Sequence, residues 1–157
     1  MFADIFKNVR NRLKGDFMPV DFEVGDFKQQ RYLELSDLSK VQYFNNQYRN
    51  ATITQDLTAL IEFATDNKVE FASKQLRRIN YTIRVHLVNK LLSDTSGMIP
   101  DEIIESHNSM VTLIRRALDC YRPVDASRRL LFTNLQPFQG EPGWLVTLLI
   151  FNSKLTI

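Results

Sequence analysis

The stretch LRRINYTIRVHLVN, residues 76–89, limits the possible folds of this chain more than any other segment. Every second position is apolar, and these positions are Ile79, Tyr81, Ile83, Val85 and Leu87. Successive side chains of an extended strand point to opposite faces of a sheet, so this spacing predicts a strand with one apolar face. The opposite face is predicted to be open to solvent, basic and rich in amides, because it carries Asn80, Thr82, Arg84 and His86.

Other segments also carry strand patterns. The apolar run LTALIEFA (57–64) predicts a strand buried on both faces, and DNKVEFASKQ (66–75) is expected to connect it to the alternating stretch. Near the end of the sequence, RRLLFTNLQPF and GWLVTLLIFNSKLTI predict two strands separated by the turn QGEPG. The last of these is apolar on both faces. It is therefore expected to be a central strand, or a strand with one face against a partner.

Two main helices are predicted from apolar residues at helical spacing. The first covers residues 2–14 and ends at Gly15, with a basic outer face that includes Arg12. The second begins at Pro100 and Asp101, and its apolar stripe continues to Tyr121. Acidic residues in its first turn and arginines in its last complement the helix dipole.

The segment between residues 16 and 56 is predicted to be a long arm or loop. It contains one short helix, begun by Ser36 or Asp37, whose apolar face includes Val41 and Phe44. Together these elements predict a single α+β domain over residues 1–157. Its mostly antiparallel sheet has two main helices packed on one face.

The residues that usually carry chemistry are few and scattered. The chain has two histidines, one cysteine and a net charge of +2. No glycine-rich phosphate loop or zinc-ligand spacing is present in the sequence. His107 lies on the apolar stripe of the second main helix, where a hydrogen-bonded or boundary position is expected rather than a catalytic role. We therefore expect no catalytic residue, no metal site and no cofactor, and hence no enzyme.

A small nucleic-acid-binding α+β module is the alternative interpretation. Arg77, Arg78, Arg84 and Tyr81 are the residue types that hold stacked bases and phosphates on a sheet. However, Tyr81 and Arg84 are an odd number of residues apart, so they should lie on opposite faces. This parity counts against a base-stacking surface.

Three segments together resemble a known set of proteins. VQYFNNQYRN, LTALIEF and QLRRINYTIRVHLV are similar to segments of small proteins encoded among the structural genes of tailed phages and prophages in Bacteroidetes. The order of elements over residues 38–151 also resembles that of tail-terminator and tail-completion proteins. Such proteins form rings between the portal complex and the tail, and they have no catalytic residue to carry over.

The resemblance implies a virion structural protein at the head–tail junction or in the tail, assembled in the host cytoplasm. Its expected partners are copies of itself in a hexameric or dodecameric ring, neighbouring portal, adaptor or tail proteins, and double-stranded DNA that passes through without specific binding. No membrane is expected. The residues predicted at the subunit interface are Phe22, Phe27, Tyr43, Phe44, Arg78, Arg84, His86, Trp144 and Phe151.

Overall fold

The computed structural model describes residues 2–14, 40–44, 57–71, 73–90, 99, 101–138 and 144–157. These residues form two helices and five strands. In chain order the elements are α1 (Phe2–Lys14), β1 (Lys40–Tyr43), β2 (Leu57–Phe71), β3 (Arg77–Lys90), α2 (Asp101–Leu118), β4 (Leu131–Phe138) and β5 (Trp144–Thr156).

The five strands form one sheet in the order β1-β2-β3-β5-β4. β1 is parallel to β2, and every other neighbouring pair is antiparallel. The predicted α+β class with a mostly antiparallel sheet is therefore confirmed. β5 lies between β3 and β4, which confirms the prediction that this two-sided apolar strand is central.

Both helices lie on the same face of the sheet, which we call the inner face. The odd-numbered residues of β3 point to it, and Ile83, Val85 and Leu87 are at most 1% exposed. They form one core cluster with Ile5 of α1 and Ile114 of α2. The alternation of β3 therefore places the main hydrophobic core between the sheet and the two helices.

α1 is anchored by a residue that the sequence placed on its outer, solvent-facing side. Arg12 is buried, and its Nε donates a hydrogen bond to the carbonyl oxygen of Ala117 in α2. Its guanidinium also lies 4.1 Å from the centre of the Tyr121 ring. The prediction for Arg12 was wrong because a long side chain can reach across a helix pair to a carbonyl and an aromatic face, and spacing alone does not reveal such partners.

α2 ends close to where the sequence predicted. Its last residue is Leu118, and Cys120 follows with φ of 63° in the left-handed region. The amide of Cys120 donates to the carbonyl of Leu130 at 2.8 Å, so the chain turns back toward β4. In the described part of the chain, neither helix has the length and hydropathy that crossing a bilayer requires.

β1 corrects the prediction of a short helix over this part of the chain. Lys40–Tyr43 forms a strand that pairs with Thr58–Ile61 of β2. Val41 is buried on the inner face, and the side chains of Gln42 and Tyr43 are more exposed. Pairing with β2 overrides the weak helical spacing, because a segment this short has little intrinsic preference of its own. The proposed caps, Ser36 and Asp37, lie outside the described residues.

β2 is longer than predicted and replaces most of the expected connector. It continues to Phe71, with a register irregularity between Thr65 and Val69. The irregularity absorbs the polar residues that the sequence suggested were a loop, because a bulge adds residues to one strand without ending the ladder. The rest of the predicted arm (16–39 and 45–56) and the turn QGEPG lie outside the described residues.

Candidate functional site

The candidate functional site is the face of the sheet opposite the helices, which we call the outer face. It is built from the even-numbered residues of β3 and their partners on β2 and β5. His86 lies between Leu60 and Leu148, and Thr82 lies between Ala64 and Asn152. Because each strand contributes alternate side chains, the character of this face is set jointly by the neighbouring strands.

One half of the outer face is a second, smaller hydrophobic core. Leu60 and Val88 are fully buried, and Val146 is 2% exposed. The half-buried side chains of Trp144 and Leu148 pack against them, and so does that of Phe44. The sequence predicted one solvated face for β3, and this prediction is wrong at the Val88 end because β2 and β5 bring apolar residues there.

The middle of the outer face holds a charged cluster around Glu62. Nε2 of His86 donates to Oε2 of Glu62 at 2.8 Å, and Nη1 of Arg84 lies 3.3 Å from Oε1 of the same carboxylate. The His86 ring also stacks on Phe44, with the two ring centres 4.1 Å apart. No partner of His86 is visible in the sequence, because Glu62 comes from a different strand and meets β3 only through the sheet register.

The charged cluster determines which substitution of Arg84 is informative. An Arg84→Glu variant would place a second carboxylate beside Glu62, so it would disturb folding as well as any contact surface. Arg84→Gln removes the cation without adding a like charge. It is therefore the cleaner probe of this face.

The other half of the outer face is polar and exposed. Thr82 donates to Asn152 at 2.8 Å, and Lys154 lies 2.9 Å from Glu70. The hydrogen bond and charge of Lys154 lower the pKa of Glu70. Beside these residues is a cavity of about 430 Å³ whose lining includes Arg128.

The structure brings together several of the predicted interface residues on the outer face. Arg84, His86 and Phe44 form part of the charged cluster, and Trp144 lies in the smaller core. Arg78 is opposite Glu70 at the polar end, where it is half-buried. Phe22 and Phe27 lie outside the described residues.

Two predicted interface residues lie on the inner face instead. Phe151 is fully buried in the main core, and its ring centre is 5.5 Å from that of Phe132. Its prediction as a contact residue is wrong, because β5 directs Phe151 beneath the helices. Tyr43 is 53% exposed, but its ring packs edge-on against Phe6 of α1. His86, although on the outer face, is only 4% exposed and offers a partner little surface.

His107 occupies the hydrogen-bonded structural position that the sequence predicted. Its Nδ1 donates to Oδ1 of Asn89 at 2.5 Å, and the hydroxyl of Thr147 donates to its Nε2 at 2.8 Å. Burial lowers the pKa of His107 from 6.5 to about 4, so the ring is neutral at pH 7. Within the described ranges, no group of three or more histidine, cysteine, aspartate or glutamate side chains could hold a metal ion.

The parity argument against base stacking by Tyr81 is confirmed. Tyr81 is 1% exposed on the inner face, and a hydrogen bond of 2.5 Å joins its hydroxyl to Oγ of Ser127. Burial raises the pKa of its phenol. Arg84 lies on the opposite side of the same strand, so the two side chains share no surface.

The chain is similar to a known protein in its structure, whereas the sequence comparisons found no match. No protein-family model matches the sequence, and no curated protein matches it. Among solved structures, the chain is similar to one described as "Virion of native gene transfer agent (GTA) particle". The TM-score is 0.57 at 12% sequence identity, and the match covers 99% of this chain and 93% of that one. At this identity the likeness establishes a shared fold.

Proposed function

We propose that this chain is a virion structural protein with no enzymatic activity. More specifically, it is a subunit of an oligomeric ring in the head–tail connector or tail terminator of a tailed particle. The ring joins the portal or neck to the tail and leaves a channel through which DNA passes. The subunit is assembled in the host cytoplasm and remains in the finished virion.

The observation that carries this proposal is the match to a chain of a gene transfer agent virion. The match extends over 99% of this chain, so both helices and all five described strands contribute to the likeness rather than one common motif. The sequence resemblance to tail-terminator and tail-completion proteins does not depend on the structure. Both lines support a component of a virus-like particle.

The two halves of the outer face suit such a subunit. Its polar half exposes amide, hydroxyl and paired charged groups, among them Thr82, Asn152 and the Lys154–Glu70 pair. Where cations are paired in this way, a channel wall would hold DNA less strongly, because tight binding to phosphates needs many unpaired cations. Its other half holds Trp144 and Phe44, half-buried aromatic side chains of the kind enriched at protein–protein contacts.

Removing the gene from a particle-producing strain tests the proposal. We expect filled heads and separate tails to accumulate, because the two cannot be joined without the ring. Complementation with the wild-type chain should restore joined particles, and so should the control variant Ser109→Ala, which changes an exposed side chain of α2. The purified joined particles should contain the chain in a fixed copy number of six or twelve.

Two results would contradict the proposal. One is the recovery of normal, infectious or transferring particles from the deletion strain. The other is the absence of the chain from purified particles that wild-type cells release. Salt-dependent binding of nucleic acid that Arg78→Ala and Arg84→Ala abolish, combined with either result, would instead favour a nucleic-acid-binding module.

A further inference from the structure

The tip of the β2–β3 hairpin exposes apolar side chains. We define the hairpin tip as residues 68–71 and 73–77. Within it, Phe71 is 76% exposed, Leu76 47% and Val69 44%. The guanidinium of Arg77 covers one side of the Phe71 ring, 4.1 Å from its centre. Three large apolar side chains exposed on one short hairpin form a patch of the kind that marks a contact surface.

The hairpin tip also carries unpaired positive charge. The amide of Lys68 donates to Asp66, but among the described residues the ammonium groups of Lys68 and Lys74 make no ion pair. Arg77 donates to backbone carbonyl oxygens of its own turn, including that of Ser73 at 3.2 Å. Glu70 is held by Lys154. A partner for this patch must therefore combine apolar surface with negative charge.

The first turns of α2 carry that combination at the opposite end of the molecule. Asp101, Glu102 and Glu105 are exposed, and they make no ion pair within the described part of the chain. Ile104 between them is 38% exposed. His107, one turn further along, bonds to Asn89 near the end of β3, which places these acids at the end of the sheet away from the hairpin tip.

Two other carboxylates in the described ranges are paired with cations. Glu62 holds Arg84 and His86, and Glu70 holds Lys154. Asp66 accepts a hydrogen bond from the amide of Lys68, and Asp119 accepts one from the amide of Phe132. Three exposed carboxylates without an ion pair in the described residues therefore lie together in the first turns of α2, opposite in sign to the lysines of the hairpin tip.

We propose that the hairpin tip of one copy packs against the first turns of α2 in the next copy. This contact rests on the proposed ring, and it identifies the two surfaces that build it. Because the surfaces are different and lie at opposite ends of β3, the contact is head-to-tail, which produces a ring when the rotation between copies closes. Phe71 and Ile104 supply apolar area, and the lysine and carboxylate groups set the orientation and speed the encounter.

Charge reversal of each end tests this contact. One variant carries Lys68→Glu with Lys74→Glu, and a second carries Glu102→Lys with Glu105→Lys. In sedimentation velocity at low salt, each variant alone is expected to associate at least about tenfold more weakly than wild type, because its two ends then carry like charge. The matched control, Lys7→Glu with Lys14→Glu, changes the net charge as the first variant does but alters exposed residues of α1, and it should associate like wild type.

An equimolar mixture of the two reversed variants gives the sharpest result. In the mixture each altered tip meets an altered helix of opposite charge, so assemblies of wild-type size should return with the two chains alternating. Phe71→Ser should weaken association of the wild-type chain without changing its circular dichroism spectrum. High salt should weaken the wild-type contact, since exposed charges are screened.

Several outcomes would overturn the contact. These are a mixture that stays dissociated, a control variant as weak as the tip variant, or a wild-type chain that stays monomeric at every concentration. If the tip variant loses binding to double-stranded DNA and keeps self-association, the tip contacts a polyanion instead. The gene-deletion experiment reads out the virion role independently, so either proposal can fail while the other survives.

Discussion

The two faces of β3 differ in a way that explains both the success and the failure of its alternating pattern. On the inner face, Tyr81, Ile83, Val85 and Leu87 are each at most 1% exposed. On the outer face, exposure rises along the strand from the buried Val88 and His86 to the partly exposed Arg84 and Thr82. Burial of the inner face is thus uniform from Tyr81 to Leu87, whereas the outer face changes from apolar to polar along the strand.

The gradient comes from the neighbouring strands rather than from β3 itself. At the buried end, Leu60 of β2 and Val146 of β5 lie beside the outer residues of β3. At the other end the neighbours are Glu70 and Asn152. The period of a strand therefore predicts which side chains share a face, and the partner strands decide how deeply that face is buried.

The largest expected effect is a loss of stability when one buried leucine on each face is shortened. Leu87 lies on the inner face and Leu60 on the outer face, and both are fully buried. Replacing either by Ala should lower the free energy of unfolding by about 2–5 kcal/mol, because each leaves a cavity in packed surroundings. Chemical denaturation followed by circular dichroism measures both. A Leu60→Ala cost within a few tenths of zero would show that the outer face is solvated along its whole length.

The next effect is a dependence of stability on pH, and it comes from the buried His107. Its folded pKa of about 4 lies below the ordinary 6.5, so the folded state binds protons more weakly than the unfolded state. The contribution of the neutral ring is complete above pH 6.5 and is lost as the pH falls toward 4, by about 3 kcal/mol in total.

His107→Gln isolates this contribution, because the amide can keep hydrogen bonds to Asn89 and Thr147 but does not titrate. The difference in unfolding free energy between wild type and variant should change between pH 7 and pH 4. A difference that stays constant over this range would mean that His107 titrates normally and is not desolvated.

The smallest expected effect is the loss of stability when either of two carboxylates on the outer face is neutralised. Glu62→Gln should cost up to about 1 kcal/mol, because it weakens the contacts to the partly exposed Arg84 and the buried His86. Glu70→Gln, at the polar end, should cost less because both Glu70 and its partner Lys154 are well exposed. Thermal unfolding of the two variants shows which substitution costs more stability. The reverse order would contradict the gradient of burial.

The sequence predicted the elements whose patterns are long and regular. Three such patterns are confirmed: the alternation of β3, the helical stripe of α2 and the two-sided apolar run of β5. Each continues over most of its helix or strand. The prediction failed where a segment was short or interrupted. Lys40–Tyr43 became a strand through pairing with β2, and β2 continued through its polar residues by a bulge.

The candidate site was harder to predict because its parts come from separate strands. Neither the Glu62–Arg84–His86 cluster nor the smaller core around Leu60 can be found from one segment, since both depend on the register between β2, β3 and β5. The misplacement of Phe151 has the same origin. An apolar residue on a two-sided strand can face either the main core or a partner, and its spacing does not distinguish them.

The most direct test of the proposed ring is the mass and shape of the purified chain. Native mass spectrometry and electron microscopy would be applied to the chain alone and to its mixture with the portal and tail proteins of the same particle. The proposed function predicts a closed ring of six or twelve copies, formed alone or on one of those partners. A chain that stays monomeric at every concentration and joins neither the portal nor the tail proteins would contradict it.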